Sequence, residues 1–83
     1  MKHFIAKVNE IINGFESTNT ILIVAKNEQS AEKKLNNFMK IWRGDYSNKD
    51  ESGYWFDGNG ICVNGSIYKE IPFAEYLVLK QYI

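Results

Sequence analysis

The spacing of apolar positions along the chain changes from one segment to the next, and each change predicts an element. Phe4, Ala6 and Val8 alternate as a strand does, although Phe4, Val8, Ile11 and Phe15 also fit a helix. The strand is the preferred reading. Asn13-Gly14 is a strong turn signal, and the polar run Glu16 to Asn19 reads as a loop of hairpin length before the next apolar run. Ile21 to Val24 are apolar on both alternating faces, which predicts a central strand, the least exposed of the sheet, covered on one side by a helix.

That helix is announced by Asn27, whose side-chain oxygen can accept from a first-turn backbone N–H, and by Glu28, whose charge suits the positive end of the helix dipole. Ala31, Leu35, Phe38 and Trp42, with Met39 beside them, recur at helical spacing and form an apolar stripe expected to face the sheet. Full burial of a large apolar side chain contributes roughly 1.5–3 kcal/mol, so this stripe accounts for much of the expected stability. Gly44 is the expected stop.

After the helix, Asp45 to Gly53 has no apolar period and reads as an exposed, mildly acidic loop. Tyr54-Trp55-Phe56 predicts a short aromatic strand, Asp57-Gly58-Asn59-Gly60 a tight turn, and Ile61 to Val63 the returning strand. Asn64-Gly65 offers a further turn before a last strand, Ser66 to Ile71. Beyond Pro72, Phe73, Tyr76, Leu77 and Lys80 favour a short helix over an edge strand. The sum is an α+β domain spanning residues 1–83: an antiparallel sheet of four to five strands on one main helix, in the order ββαβββ, with a possible short C-terminal helix.

With 83 residues the chain buries about 60% of its unfolded surface, which leaves little room for an enclosed active site. Ten basic and ten acidic side chains cancel, so no global field draws it to nucleic acid or to an anionic membrane. Cys62 is the single cysteine, which excludes an internal disulfide and fits a reducing cytosol. MKHFIAKVNE is too polar for a signal peptide or a membrane span, and the expectation is a cytoplasmic protein with no membrane association. Asn64-Gly65-Ser66 matches a glycosylation acceptor, but without a secretory route turn formation explains it better.

Catalytic chemistry finds few candidates. His3 is the sole histidine and lies near the terminus, a poor place from which to activate Cys62 or a serine. Asp50-Glu51 are adjacent, and Glu70 and Glu75 flank a proline; neither pair has the opposed setting that acid and base catalysis needs. The Gly58-Asn59-Gly60 turn precedes no helix and lacks the spaced carboxylates of a calcium loop. The expectation is a protein that is not an enzyme and takes no cofactor or metal.

Binding features are more numerous. Tyr54 and Phe56 share one face of their strand and Trp55 takes the other, so Trp55 is either an exposed anchor or buried on a second covered face. Lys33, Asn36, Asn37, Lys40 and Arg43 make a basic helix back, which reads as a solvated face with cations near the helix C-terminus or as a contact for phosphates or an acidic protein. Asp45, Tyr46, Asp50 and Glu51 add an aromatic and acidic loop. The segments KHFIAKVNEIIN and TILIVAKNEQSAEKKL, in which a strand runs through AKNEQSA into a capped helix, and the later Gly-Tyr-Trp-Phe strand resemble small phage-encoded anti-CRISPR proteins with a ββα start followed by strands. The resemblance is one of architecture and size over about the first half of the chain, and it implies a non-enzymatic inhibitor that covers a surface of a bacterial defence (CRISPR effector) complex. The partner-binding residues expected for it are Asp45, Tyr46, Asp50, Glu51, Tyr54, Trp55, Lys33, Lys40 and Arg43, on a monomer or homodimer. Two other readings stay open: a small nucleic-acid binder using Lys33, Lys34, Lys40 and Arg43 with Tyr46 and Trp55 as a stacking platform, and a sponge for a signalling nucleotide.

Overall fold

Local signals place the first elements where alternation and turn chemistry put them. The computed structural model describes residues 1–58 and 60–83; Asn59, within the expected Asp57 to Gly60 turn, lies outside the described residues. Strand β1 (Lys2–Ile12) and strand β2 (Phe15–Ala25) form a hairpin about Asn13-Gly14, whose φ values of 50° and 86° are those of the tight turn that matches strand twist. Helix α1 (Glu28–Lys40) follows, then β3 (Asn48–Asp50), β4 (Gly53–Phe56), β5 (Ile61–Ile71) and helix α2 (Phe73–Lys80). The fold is α+β with the order ββαβββ and a short C-terminal helix. All pairings are antiparallel and the sheet order is β2-β1-β5-β4-β3.

Several expectations change. Ile21 to Val24 belong to an edge strand, because β5 rather than a later partner of β2 takes the free side of β1. Glu16 to Asn19 are part of that strand, paired with Ile11 to Val8, so the polar run is a solvated strand and not a loop. Asn64-Gly65 makes no turn: β5 runs unbroken from Ile61 to Ile71, merging two expected strands, while the expected loop contributes the short β3 instead. Gly65 serves packing. A Cβ there would sit 2.6 Å from the Lys7 carbonyl oxygen and 3.2 Å from the Met39 sulfur.

Helix α1 begins as expected, with Asn27 Oδ1 accepting from the Ser30 backbone N–H at 2.8 Å. Its buried line is Ala31, Leu35 and Met39, which meet Phe4, Ala6, Val8, Ile23, Ala25, Tyr54, Phe56 and Val63 in one core. Phe38 lies about 100° round the helix from Met39 and is 54% exposed, contrary to its expected place in the stripe. The helix gives way at Ile41, and Trp42 packs against the core from beyond it. Gly44 then takes a φ of 85°, a left-handed conformation that suits glycine as the chain leaves the helix region.

The other face of the sheet is covered at its two ends, by Ser52 and Trp55 around Cys62 at one and by α2 at the other. His3 packs against Phe73 and Tyr76 with tilted rings at centroid distances of 5.2 and 4.5 Å, which fixes α2 over the start of β1, and Ile5 and Ile71 are buried there. Replacing Gly65 with alanine is expected to cost about 2–3 kcal/mol, because the added methyl meets backbone as well as the Met39 sulfur. Urea unfolding monitored by far-ultraviolet circular dichroism measures this; unchanged stability would mean that α1 has room to lift.

Candidate functional site

Three surfaces carry the residues singled out above. The first is the junction of β1 with the end of α1. Glu10 lies on the α1 face of β1, where an acid would normally be excluded, and is only 7% exposed. Its Oε2 accepts from the Trp42 indole Nε1 at 3.0 Å and from Arg43 Nε at 2.6 Å. The Arg43 guanidinium, through that hydrogen bond and its charge, holds the Glu10 carboxyl below its usual range, with Trp42 adding to the effect and burial opposing it. Glu10 in turn raises the Arg43 pKa. Arg43 is therefore committed within the chain and is not a free cation of the basic helix back. Lys34 is also engaged, donating from Nζ to the Val24 carbonyl. Lys33 and Lys40 remain exposed and isolated from these contacts, a thin base for phosphate binding.

The second surface is the β3–β4 hairpin. Asp45 and Tyr46 are exposed in the chain leading to it, and Ser47 anchors that chain by donating its backbone N–H to the Trp55 carbonyl at 2.7 Å and its hydroxyl to the Gly58 carbonyl at 2.9 Å. Tyr54, expected in the interface, is 4% exposed and belongs to the core; its ring meets Tyr46 edge-on at 5.2 Å. Trp55 takes the opposite face, half-buried opposite Cys62, with its indole N–H shut from water. That N–H is directed at Asp50 without the geometry of a formed hydrogen bond. It is nonetheless the first cause that holds the Asp50 carboxyl below its usual range, ahead of the Ser52 and Gly53 backbone N–H groups and Lys49. Burial, with a smaller contribution from Asp50, pushes the Cys62 thiol up, so it stays protonated and unreactive.

The third surface is one that the sequence reading did not assemble. On the helix-free face, Thr18 of β2, Asn9 of β1 and Asn64 of β5 stand side by side: Thr18 Oγ1 donates to Asn9 Oδ1 at 2.7 Å, and Asn9 Nδ2 donates to Asn64 Oδ1 at 3.4 Å. Lys7, Glu16 and Ser66 extend this polar row, and Glu51 and Ser52 of the hairpin overhang it, enclosing a groove of about 760 Å³. Of the expected site residues, Glu51 alone lines it. The signal available was the alternation of polar residues in Lys7, Asn9, Glu16, Thr18, Asn64 and Ser66, legible only once the strand order is known.

His3 and Cys62 pair with Ile71 and Ile11 respectively, eight positions apart along β1, or about 26 Å at the usual strand rise. They cannot act on one substrate atom. Among the described residues no three His, Cys, Asp or Glu side chains gather as metal ligands, and no helix is long and apolar enough to cross a membrane.

Because the folded Glu10 pKa lies below its unfolded value, its pairing stabilises the fold above the unfolded pKa, and that stability is lost as pH falls through the folded one. Glu10→Gln is expected to cost about 1–2 kcal/mol at neutral pH, discounted for the half-exposed Arg43, and to flatten the acid limb of stability against pH. Thermal melts of both proteins from neutral to acid pH measure it; parallel acid limbs would show that Glu10 is not the titrating group. Comparison with protein-family models, characterised proteins and solved structures finds no match to this chain.

Proposed function

We propose that the chain is a non-enzymatic binding protein that acts by covering the surface of a macromolecular partner, and that the partner is a CRISPR effector complex of the kind that small anti-CRISPR proteins block. The observation that supports binding is the C-terminal helix. A helix apolar on most sides is normally enclosed, yet no residue of α2 is buried: Leu77 and Val78 are exposed, as are Tyr82 and Ile83 just beyond it, and Phe73 stays half-exposed even where it meets His3. Contiguous apolar surface of this kind marks interaction sites in small proteins.

The α2 surface lies on the same side of the sheet as the polar groove and its Glu51 overhang. Together they offer an apolar anchor beside a hydrogen-bonding rim, the usual anatomy of a protein interface. Asp50 and Glu51 at the hairpin and Glu16 across the groove outnumber Lys7 in its floor, which favours a partner surface that is basic, as nucleic-acid-handling proteins have. Steric occlusion of that surface is the mechanism, and it needs no reacting group.

The test is target-DNA cleavage by reconstituted CRISPR effectors of several types, with the purified protein added at increasing ratios. Stoichiometric inhibition of one effector is expected, and the double variant Leu77→Asp, Val78→Asp should weaken it by about a hundredfold, as loss of two anchors implies, while circular dichroism stays unchanged. Inhibition of no effector sinks the CRISPR assignment. Direct DNA binding that weakens steeply with salt and needs Lys33 and Lys40 would support the nucleic-acid reading in its place.

A further inference from the structure

We propose that two copies of this chain associate through their β2 edges, in antiparallel register about a two-fold axis at Asn19, to make one ten-stranded sheet. The inference goes beyond the surface considered above, which lies on the helix-free face, and starts from the edge strand. β2 is 11 residues long and paired only through β1. Its tight hairpin puts Phe15 in a hydrogen-bonded pair with Ile12, so the odd-numbered residues direct their backbone groups to β1 and the even-numbered ones direct theirs outward. The Val24 carbonyl confirms the phase, since Lys34 reaches it from outside the sheet. Glu16, Thr18, Thr20 and Leu22 therefore present outward N–H and C=O groups.

Such edges are ordinarily blunted by charge, proline or a bulge. From Ser17 to Ala25 β2 has no charged residue and no proline, and its pairing with β1 is in unbroken register. Lys34 occupies the Val24 position, which limits a new partner to the segment before it. One symmetric register uses all four open residues and stops short of Val24: Thr18 opposite Thr20 of the second copy, Glu16 opposite Leu22, and Asn19 facing Asn19 on the axis.

Strand pairing alone is narrow for a stable dimer, which takes about 800 Å² from each partner. Helix α1 supplies the remainder. It runs back along the sheet from Ala25, and Met39 stands over Gly65, which pairs with Val8 and so lies level with Asn19. Lys34, Phe38 and Ile41 share the side of α1 that faces the β2 edge, as the Lys34 contact establishes, and with Asn37 they line a depression of about 280 Å³. Phe38 and Ile41, 54% and 65% exposed, thus lie on the β2 side of the helix near the level of the axis. A second copy brings its own Phe38 and Ile41 against them. A single strand of another protein would fill the edge and leave this pair in water, which is why the geometry favours a second copy. The net charge of zero puts no repulsion between copies. Pairing also places Thr20 and Leu22 of one copy beside Glu16 and Thr18 of the other, so the two polar grooves meet along their β2 margins.

Sedimentation velocity and native mass spectrometry of the full chain across concentration should show a monomer–dimer equilibrium. Asn19→Cys should form a covalent dimer on mild oxidation, because facing residues of a non-hydrogen-bonded pair lie within disulfide reach; Ser17→Cys, which would face Ile21, should not. Phe38→Asp, at an exposed position, should leave the circular dichroism spectrum unchanged and weaken dimerisation by about a hundredfold, since both copies lose an anchor. A protein that stays monomeric up to its solubility limit overturns the proposal. So does a dimer indifferent to Phe38→Asp and dissociated by Leu77→Asp, which would place the contact on α2, or equal cross-linking at Ser17 and Asn19.

Discussion

The closeness of α1 to the sheet depends on side chains that are small or absent at the line of contact. Gly65 leaves β5 bare beneath Met39, while Ala6, Ala25 and Ala31 are fully enclosed and let the helix approach β1 and the end of β2. With a larger side chain at Gly65 the helix would have to lift or rotate, because the obstruction on the other side is the backbone of β1 and cannot give way. Rotation is what the rest of the molecule could not absorb. The angle of α1 about its own axis decides that Trp42 and Arg43 meet Glu10, that Lys34 reaches the Val24 carbonyl, and that Phe38 and Ile41 stay exposed beside Lys34. One packing contact thereby sets which polar groups are satisfied within the chain and which apolar ones are not.

The two faces of the sheet are used differently. One carries the core, where aromatic and aliphatic residues from β1, β4, β5 and α1 meet; the other is apolar only under α2 and beside Trp55 and Cys62. Between those two ends the strands expose amides, hydroxyls and opposed charges around Lys7 and Glu51. A sheet this small cannot fill two cores, so its second face is available for contacts outside the chain. The committed cations point the same way. With Arg43 neutralised by Glu10 and Lys34 held at the Val24 carbonyl, the back of α1 has fewer free cations than its composition suggests.

Much of the fold was legible because its elements carry local signatures. Asn13-Gly14 specifies its turn, Asn27 caps its helix through its own side chain, and Pro72 precedes a helix that starts at the next residue. What was not legible depends on partners distant in sequence. The polarity of Glu16 to Asn19 suggested a loop because an edge strand exposed on both faces has the same composition. Asn64-Gly65 suggested a turn because a glycine needed for a close approach and one needed for chain reversal are the same residue. Phe38 and Met39 are adjacent, and which of them turns inward is settled by Gly65, 26 positions further along the chain. The site suffered most from this. Tyr54 and Trp55 exchange roles according to which sheet face α1 covers, and the polar groove needs strands β2, β1 and β5 to be neighbours before its residues form a row.

The position of β5 in the sheet has a further consequence for how the chain is made. β1 is a central strand, yet its second neighbour is drawn from Ile61 to Ile71, near the far end of the sequence. During synthesis the β1–β2 hairpin and α1 can assemble from adjacent residues, but they then hold a sheet whose β1 side is an unfilled edge, with Val8 and Ala6 beside the gap. Closure awaits the arrival of β5. The completed fold therefore depends on a contact of high sequence separation, which is slow to form, and the nascent protein spends that interval with both sides of its first hairpin open to other chains.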